Sequence, residues 1–241
     1  MDFAFLFHAQ RQLFHIGYNV TAERLDNHYY DLLASEARIA SIVTIAENAV
    51  PPSHWLHLGR PLTQVGGTRA LLSWGGTMFE YLMPSLMMRS YEGTLLQRSC
   101  RAAVDGQIAY GKQKQVPWGI SESGYYAFDA NQNYQYRAFG VPGLGFKRNL
   151  DEDLVVAPYA SLLALSLRPR QVMENIARLD KLQMLGIHGL YESIDFSPTR
   201  LALGETHAIV RSYMAHHQGM ILLSLVNYLH DNAMVRRFHA D

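Results

Sequence analysis

Residues 95–126 read LLQRSCRAAVDGQIAYGKQKQVPWGISESGYY, and a change of character part-way along this stretch decides the reading of the fold. Leu95 to Lys114 reads as one long helix. The continuation, WGISESGYY, sets the carboxylate of Glu122 between Gly119 and Gly124 and among Trp118, Tyr125 and Tyr126, which is not a core pattern. Working outward, further helices are expected over about 27–48, 77–89, 157–167, 170–184 and 210–230, with a short last turn near Val235. In the first of these Leu33, Ala37, Ala40, Ile42 and Ile45 recur at helical spacing until Val50-Pro51-Pro52 stops the pattern. Residues 3–20 hold FAFLFH and LFHIGYN around a polar AQRQ, the signature of a short β-hairpin. Two aromatic, glycine-bearing stretches, 116–129 and 131–147, read as long loops, and long connections inside a compact domain often carry function. The chain reads as a single, mainly α domain.

Composition narrows the partners. The 241 residues are 49% hydrophobic and 17% charged, enough to fill a large core. Twenty-one basic residues balance twenty-one acidic ones, so no net field favours nucleic acid, and a neutral ligand fits better. Fourteen Tyr, ten Phe and three Trp are a generous aromatic set, and several sit beside Gly, Asn, Gln and Glu, as in clefts where sugar faces stack on rings and hydroxyls meet amides and carboxylates. A lone Cys100 excludes an intrachain disulfide and reads as a small buried hydrophobe, with a reducing compartment as the default. No apolar run is long enough to span a bilayer, so direct membrane insertion is not expected.

Each candidate carboxylate has a plain alternative. Glu36, in YYDLLASEAR, would interrupt an apolar helical stripe. Burying an unpaired charge costs several kcal/mol, so Glu36 is either a buried ion-pair member or a catalytic group. Glu122, on a glycine-flexed stretch among rings that would raise its pKa, could protonate a glycosidic oxygen; otherwise it is a solvated loop acid. Thr77 to Glu80 after Gly75-Gly76 fits a capping box, which favours a structural Glu80. Glu192 and Asp195 in YESIDF, and Glu205, are further candidates that their context does not decide. His216 and His217 in MAHHQGM lack a ligand at the i+3 or i+4 position, so no metal site is expected; one of His217 and Gln218 should reach the cleft by hydrogen bond. No P-loop, dinucleotide fingerprint, GxSxG or HExxH string is present, and no cofactor is expected.

Taken in order, YYDLLASEARIAS, LLSWGGTMFEYLMP, VPWGISESGYY, NYQYRAFGVPGLGFKR, DLVVAPYAS, YESIDFSPTR, RSYMAHHQGMILLSL and the terminal RRFHAD closely resemble the glucoamylase-like domain of cyclic β-1,2-glucan synthases. The resemblance implies an (α/α)6 toroid and anomer-retaining transglycosylation that closes linear β-1,2-glucan into a ring. It also implies a parent synthase of the inner membrane with glycosyltransferase and phosphorylase-like regions, which would put this chain on the cytoplasmic face. Carried onto this sequence, Glu122 is the acid/base and Glu36 the nucleophile. Glu80, Trp74, Trp118, Tyr134, Tyr136, Arg211 and His217 line the glucan subsites. A toroid of this kind has twelve helices, whereas seven to eight are expected here, so residues 1–241 read as one glucoamylase-like domain that is the later part of a larger, incomplete toroid. The alternatives are an inverting β-1,2-glucan hydrolase using Asp31, Glu192 or Asp195, and a non-catalytic glucan-binding module.

Overall fold

The computed structural model describes residues 3–33 and 37–240, and the chain divides into two compact units, Met1–Pro61 and Leu62–Asp241. In the first, β1 (Phe7–His8) and β2 (Leu13–Phe14) form the hairpin that FAFLFH and LFHIGYN around AQRQ predict, pairing antiparallel with Phe7 opposite Phe14. A second hairpin, β3 (Tyr18–Asn19) and β4 (Arg24–Leu25), follows. The helix expected from residue 27 appears as α1 (Ala37–Ala46) and is succeeded by α2 (Ser53–His57). Residues 27–33 are not helical because their polar side chains bond locally: Asp26 Oδ1 accepts the His28 amide and Asp31 Oδ1 the Leu33 amide, the competition that disfavours helix at Asx residues. His54 is buried between the edges of Phe7 and Phe14, with Nε2 2.9 Å from Ser41 Oγ and Nδ1 2.8 Å from the Gln12 carbonyl.

The second unit begins with β5 (Leu62–Val65) and β6 (Thr68–Leu71), joined through Gly66 and Gly67, both at positive φ as a two-residue hairpin turn demands. Then come α3 (Met78–Leu82), α4 (Leu95–Lys114), β7 (Ser123–Phe128), β8 (Tyr134–Arg137), β9 (Val155–Val156), α5 (Pro158–Leu163) and α6 (Pro169–Lys181). β10 (Leu185–Gly186), β11 (Gly189–Leu190), β12 (Ser193–Asp195), β13 (Ala208–Val210), α7 (Ala215–Leu229) and α8 (Ala233–Phe238) complete it. Helix α4 has the bounds its sequence predicts: the Thr94 side chain accepts the Gln97 amide at its start and Gln115 turns left-handed at its end. Every residue of α5 is buried, and α3, α6 and α7 pack around it.

Two expectations are corrected. The fold is helical with small sheets rather than helical with one hairpin: among the described residues there are one three-stranded sheet, with β12 between β9 and β13, and five two-stranded ones. The supposed loops 116–129 and 131–147 contain the β7–β8 hairpin, with Gly124 opposite Tyr136. Alternation was hidden there by tyrosines on both faces, and a bulge between Tyr125 and Phe128 breaks the period. Among the described residues no helix is long and apolar enough to cross a membrane.

The glycines of LLSWGGT and FGVPGLG are explained by one backbone crossing. Residues 73–76 and 140–147 run side by side, the Ser73 amide donating to Leu144 and the amides of Val141 and Phe146 returning bonds to Gly76 and Ser73. A Cβ at Gly140 would lie 1.7 Å from the Gly75 carbonyl oxygen. Gly140→Ala should therefore cost ~3 kcal/mol, lowering Tm by roughly 10 °C. Gly219→Ala, inside α7 with open space around it, should gain ~0.5–1 kcal/mol. Thermal unfolding followed by circular dichroism checks both.

Candidate functional site

The segment that carries Glu122 is irregular yet largely buried, so its peptide groups need partners other than a ladder. They find them on the surrounding helices. Asn175 of α6 accepts the Trp118 amide (3.0 Å) and donates to its carbonyl (2.8 Å), while Ser161 of α5 donates to the same carbonyl (2.7 Å). Gln107 of α4 brackets Ile120 in the same way, at 2.8 Å to its amide and 2.7 Å to its carbonyl. Ser121 Oγ accepts the Phe79 amide. Tyr159 completes the series: its hydroxyl lies 2.8 Å from Ser121 Oγ and 2.9 Å from the Glu122 carbonyl, to which it donates. Gly119 is at φ +123, with Ser161 Oγ only 2.6 Å from where a Cβ would stand, so no other residue fits the turn.

Past Glu122 the clamp continues on carboxylates. Glu192, 2% exposed, accepts the Gly124 amide on Oε1 (3.0 Å) and contacts His217 Nδ1 through Oε2 (2.9 Å). The imidazole, 1% exposed, lies flat on the Tyr159 ring, with centroids 3.8 Å apart and planes 13° apart, and the Tyr136 ring lies 6.2 Å from it at 28°. Burial first, opposed by the Ser121 hydrogen bond and reinforced by Tyr136, Glu122 and Glu192, holds the Tyr159 phenol well above its ordinary pKa, so it remains a donor. Tyr136 is raised as well, by its enclosed surroundings and then by the charges of Glu122 and Glu192. Glu122 is thus half-buried beside two phenols and within electrostatic reach of both.

The expected site residues divide accordingly. Glu122, Tyr136 and His217 come together; Glu36 lies outside the described residues. His217 does not reach out to solvent: Nδ1 faces Glu192, and Nε2 is buried without a hydrogen-bond partner. Gln218 instead donates to the Leu190 carbonyl. Trp118, expected to stack on sugar, is only 4% exposed and packs on Gly111, because the clamp on its backbone draws the ring inward. Glu80 makes the capping box and more, accepting from Ser73 Oγ and from the amides of Trp74, Gly75 and Thr77, so its carboxylate organises the 73–77 turn rather than facing outward. That turn presents Trp74, 45% exposed. Tyr134 stacks on Phe128 (4.7 Å), and exposed Arg211 holds its guanidinium 5.4 Å above the Tyr191 ring.

Asp195 is excluded as a water-activating base by its partners. Fully buried, it receives Arg200 on both oxygens (2.7 and 3.1 Å) and the amides of Tyr126 and Ser197. Arg200 also pairs with Asp153 and lies over Tyr125. Sequence reasoning did not single out Tyr159, Gln107, Asn175 or Ser121. Gln107 and Asn175 are polar side chains buried on otherwise polar helices, which the sequence pattern does not mark out. Among the described residues no group of three His, Cys, Asp or Glu side chains could hold a metal.

The family model for Glycoamylase, described as "Putative glucoamylase", matches residues 28–241. The chain belongs to this family. Over all 241 residues it is 46% identical to the cyclic β-(1,2)-glucan synthase NdvB of Rhizobium meliloti (strain 1021), of which it spans 8% of the length. Among solved structures, this glycoamylase-family chain is similar over its whole length to an endo-β-1,2-glucanase from Chitinophaga pinensis in complex with sophorotriose and glucose. The TM-score is 0.72 at 17% identity, and 59% of that chain is covered. It is similar over 86% of its length to an endo-β-1,2-glucanase from Talaromyces funiculosus, with 45% of that chain covered, at a TM-score of 0.58 and 15% identity. At such identities the likeness is one of fold.

The Arg200 network predicts that Arg200→Ala, which strands the buried Asp195 charge, destabilises the chain by ~3–5 kcal/mol. Arg200→Lys should recover only part of this, since an ammonium cannot span both carboxylate oxygens. Denaturant unfolding midpoints measure the difference.

Proposed function

We propose that this chain processes β-1,2-glucan as part of a glycoside hydrolase-type transglycosylase, closing linear chains into rings with retention of anomeric configuration. The observation that carries the reading is the placement of Glu122: a half-buried carboxylate beside the phenols of Tyr136 and Tyr159, on a segment immobilised by buried hydrogen bonds. Glu122 acts as the acid/base and Glu36 as the nucleophile, a division of labour that calls for carboxyl groups about 5–5.5 Å apart. In this role Glu122 donates its proton to the leaving oxygen and then takes one from the attacking hydroxyl. The exposed rings of Trp74 and Tyr136, with Tyr134 and Arg211, offer the stacking and hydrogen-bonding surface along which an acceptor hydroxyl would outcompete water.

The 46% identity to a cyclic β-(1,2)-glucan synthase supports cyclisation over plain hydrolysis. The engagement of both oxygens of Glu192 and Asp195 weighs against an inverting mechanism through either. We further take residues 1–241 to be the later part of one glucoamylase-like (α/α)6 toroid, in keeping with the 59% coverage of the Chitinophaga glucanase. The remaining toroid segment, the glycosyltransferase and phosphorylase-like regions, and a place on the cytoplasmic face of the inner membrane would belong to a parent synthase.

The chain incubated with linear β-1,2-glucan should yield rings resistant to exo-acting β-glucosidase in which every linkage is β, and any hydrolysis product should appear first as the β-anomer by NMR. Glu122→Gln should lower turnover about 10³-fold, in the range for loss of a general acid. An α-anomer first product overturns retention, and glucan binding without turnover in wild type leaves a binding module.

A further inference from the structure

We infer that the buried Glu192–His217 pair is a positioning element for Glu122, holding the backbone that follows it. The inference rests on the reading of Glu122 as the acid/base. Its own basis is that the two peptide groups that follow the Glu122 side chain end on one cluster. The Glu122 carbonyl is held by the Tyr159 hydroxyl. Two residues on, the Gly124 amide is held by Glu192 Oε1, and the Gly124 carbonyl accepts from Ser193 Oγ at 2.5 Å. Tyr159 and Glu192 are tied to each other through one ring, that of His217, which stacks on the first and bonds the second. A Cβ at Gly124 would lie 3.3 Å from Glu192 Cγ, so glycine is what lets the carboxylate come this close.

The charge is what makes the arrangement specific. Glu192 is buried with no arginine or lysine among its ion-pair partners in the described structure; its compensation is one imidazole and one amide. An ionised carboxylate accepts on both oxygens, which fixes His217 as the donor at Nδ1. A glutamine at 192 has a single accepting oxygen, so it keeps both bonds only by forcing His217 into the Nε2–H tautomer, which leaves a buried N–H without a partner. His217 has no alternative anchor, because its Nε2 is buried and unpartnered. With either bond lost, the turn between Tyr159 and β12 can relax and carry Glu122 with it. Misplacing a reacting group by about 1 Å costs roughly 100-fold in rate.

The test uses the full 241-residue chain with Glu192→Gln, His217→Ala and His217→Asn, the last restoring an amide donor at the Nδ1 position without the ring. Hydrogen exchange across residues 119–128 and the ¹⁵N shifts of His217 report on the positioning itself, without substrate. Glu192→Gln should speed exchange at the Gly124 amide and move the Nδ1 resonance of His217. With linear β-1,2-glucan, Glu192→Gln and His217→Ala should each lower kcat about 100-fold with KM within about twofold, and His217→Asn should recover about tenfold of the loss. Unchanged exchange in Glu192→Gln overturns the inference, as does faster exchange with kcat intact. If Glu192→Gln does not fold, the His217 variants decide: equal kcat in His217→Ala and His217→Asn overturns it. Should wild type itself fail to turn over the glucan, the proposed function falls, while the exchange measurement still decides whether the pair holds the segment.

Discussion

From Trp118 until β7 begins at Ser123 the chain crosses the interior without regular structure, and buried backbone there and at the strand's start is tolerated only where each polar group is met. The partners that meet it are scattered through the sequence: Gln107 on α4, Tyr159 and Ser161 on α5, Asn175 on α6, and Glu192 and Ser193 at β12. Because α6 packs on the fully buried α5 and β12 packs on β7, the turn carrying Glu122 is fixed by the same packing that stabilises the second unit. For the acid/base role proposed for Glu122, backbone held this way would need no reorganisation during the reaction, which is the condition for preorganised catalysis.

Two buried carboxylates three residues apart show how environment assigns roles. Asp195 meets a guanidinium that covers both oxygens and itself bridges to Asp153, a closed network with no remaining acceptor for a reactant. Glu192 meets an imidazole and a peptide amide, partners whose strength depends on orientation rather than on full counter-charge. The first arrangement resists movement of the sheet. The second couples a ring stack to the turn that carries Glu122, so its effect is on geometry as much as on stability.

Local chemistry was legible in the sequence, and long-range pairing was not. Helix α4 has the bounds its sequence predicts, and in the structure the Thr94 side chain caps its first turn. The capping role of Glu80 followed from its spacing to Thr77, although the same residue, carried over by resemblance as a substrate contact, proved to organise the Trp74 turn. The first hairpin was plain from two apolar segments around the polar AQRQ, whereas β7 and β8 were taken for loops because their tyrosines occupy both faces. Glu122 stood out by its glycine and aromatic setting. Trp118 misled for the same reason, since exposure of a tryptophan is decided by a clamp from Asn175 and Ser161 that lie 57 and 43 residues away. Glu192 could be noticed but not assigned, because its two partners lie 68 and 25 residues distant.

The central claim is that Glu122 and Glu36 work on one anomeric centre, and a crystal structure of the Glu122→Gln chain with a β-1,2-glucan oligosaccharide bound tests it most directly. The account predicts a glycosidic oxygen within hydrogen-bond reach of residue 122, with the Glu36 carboxylate facing the adjacent anomeric carbon, the two side chains about 5–5.5 Å apart. A glucan bound elsewhere, or Glu36 turned away from the sugar that contacts residue 122, would contradict it.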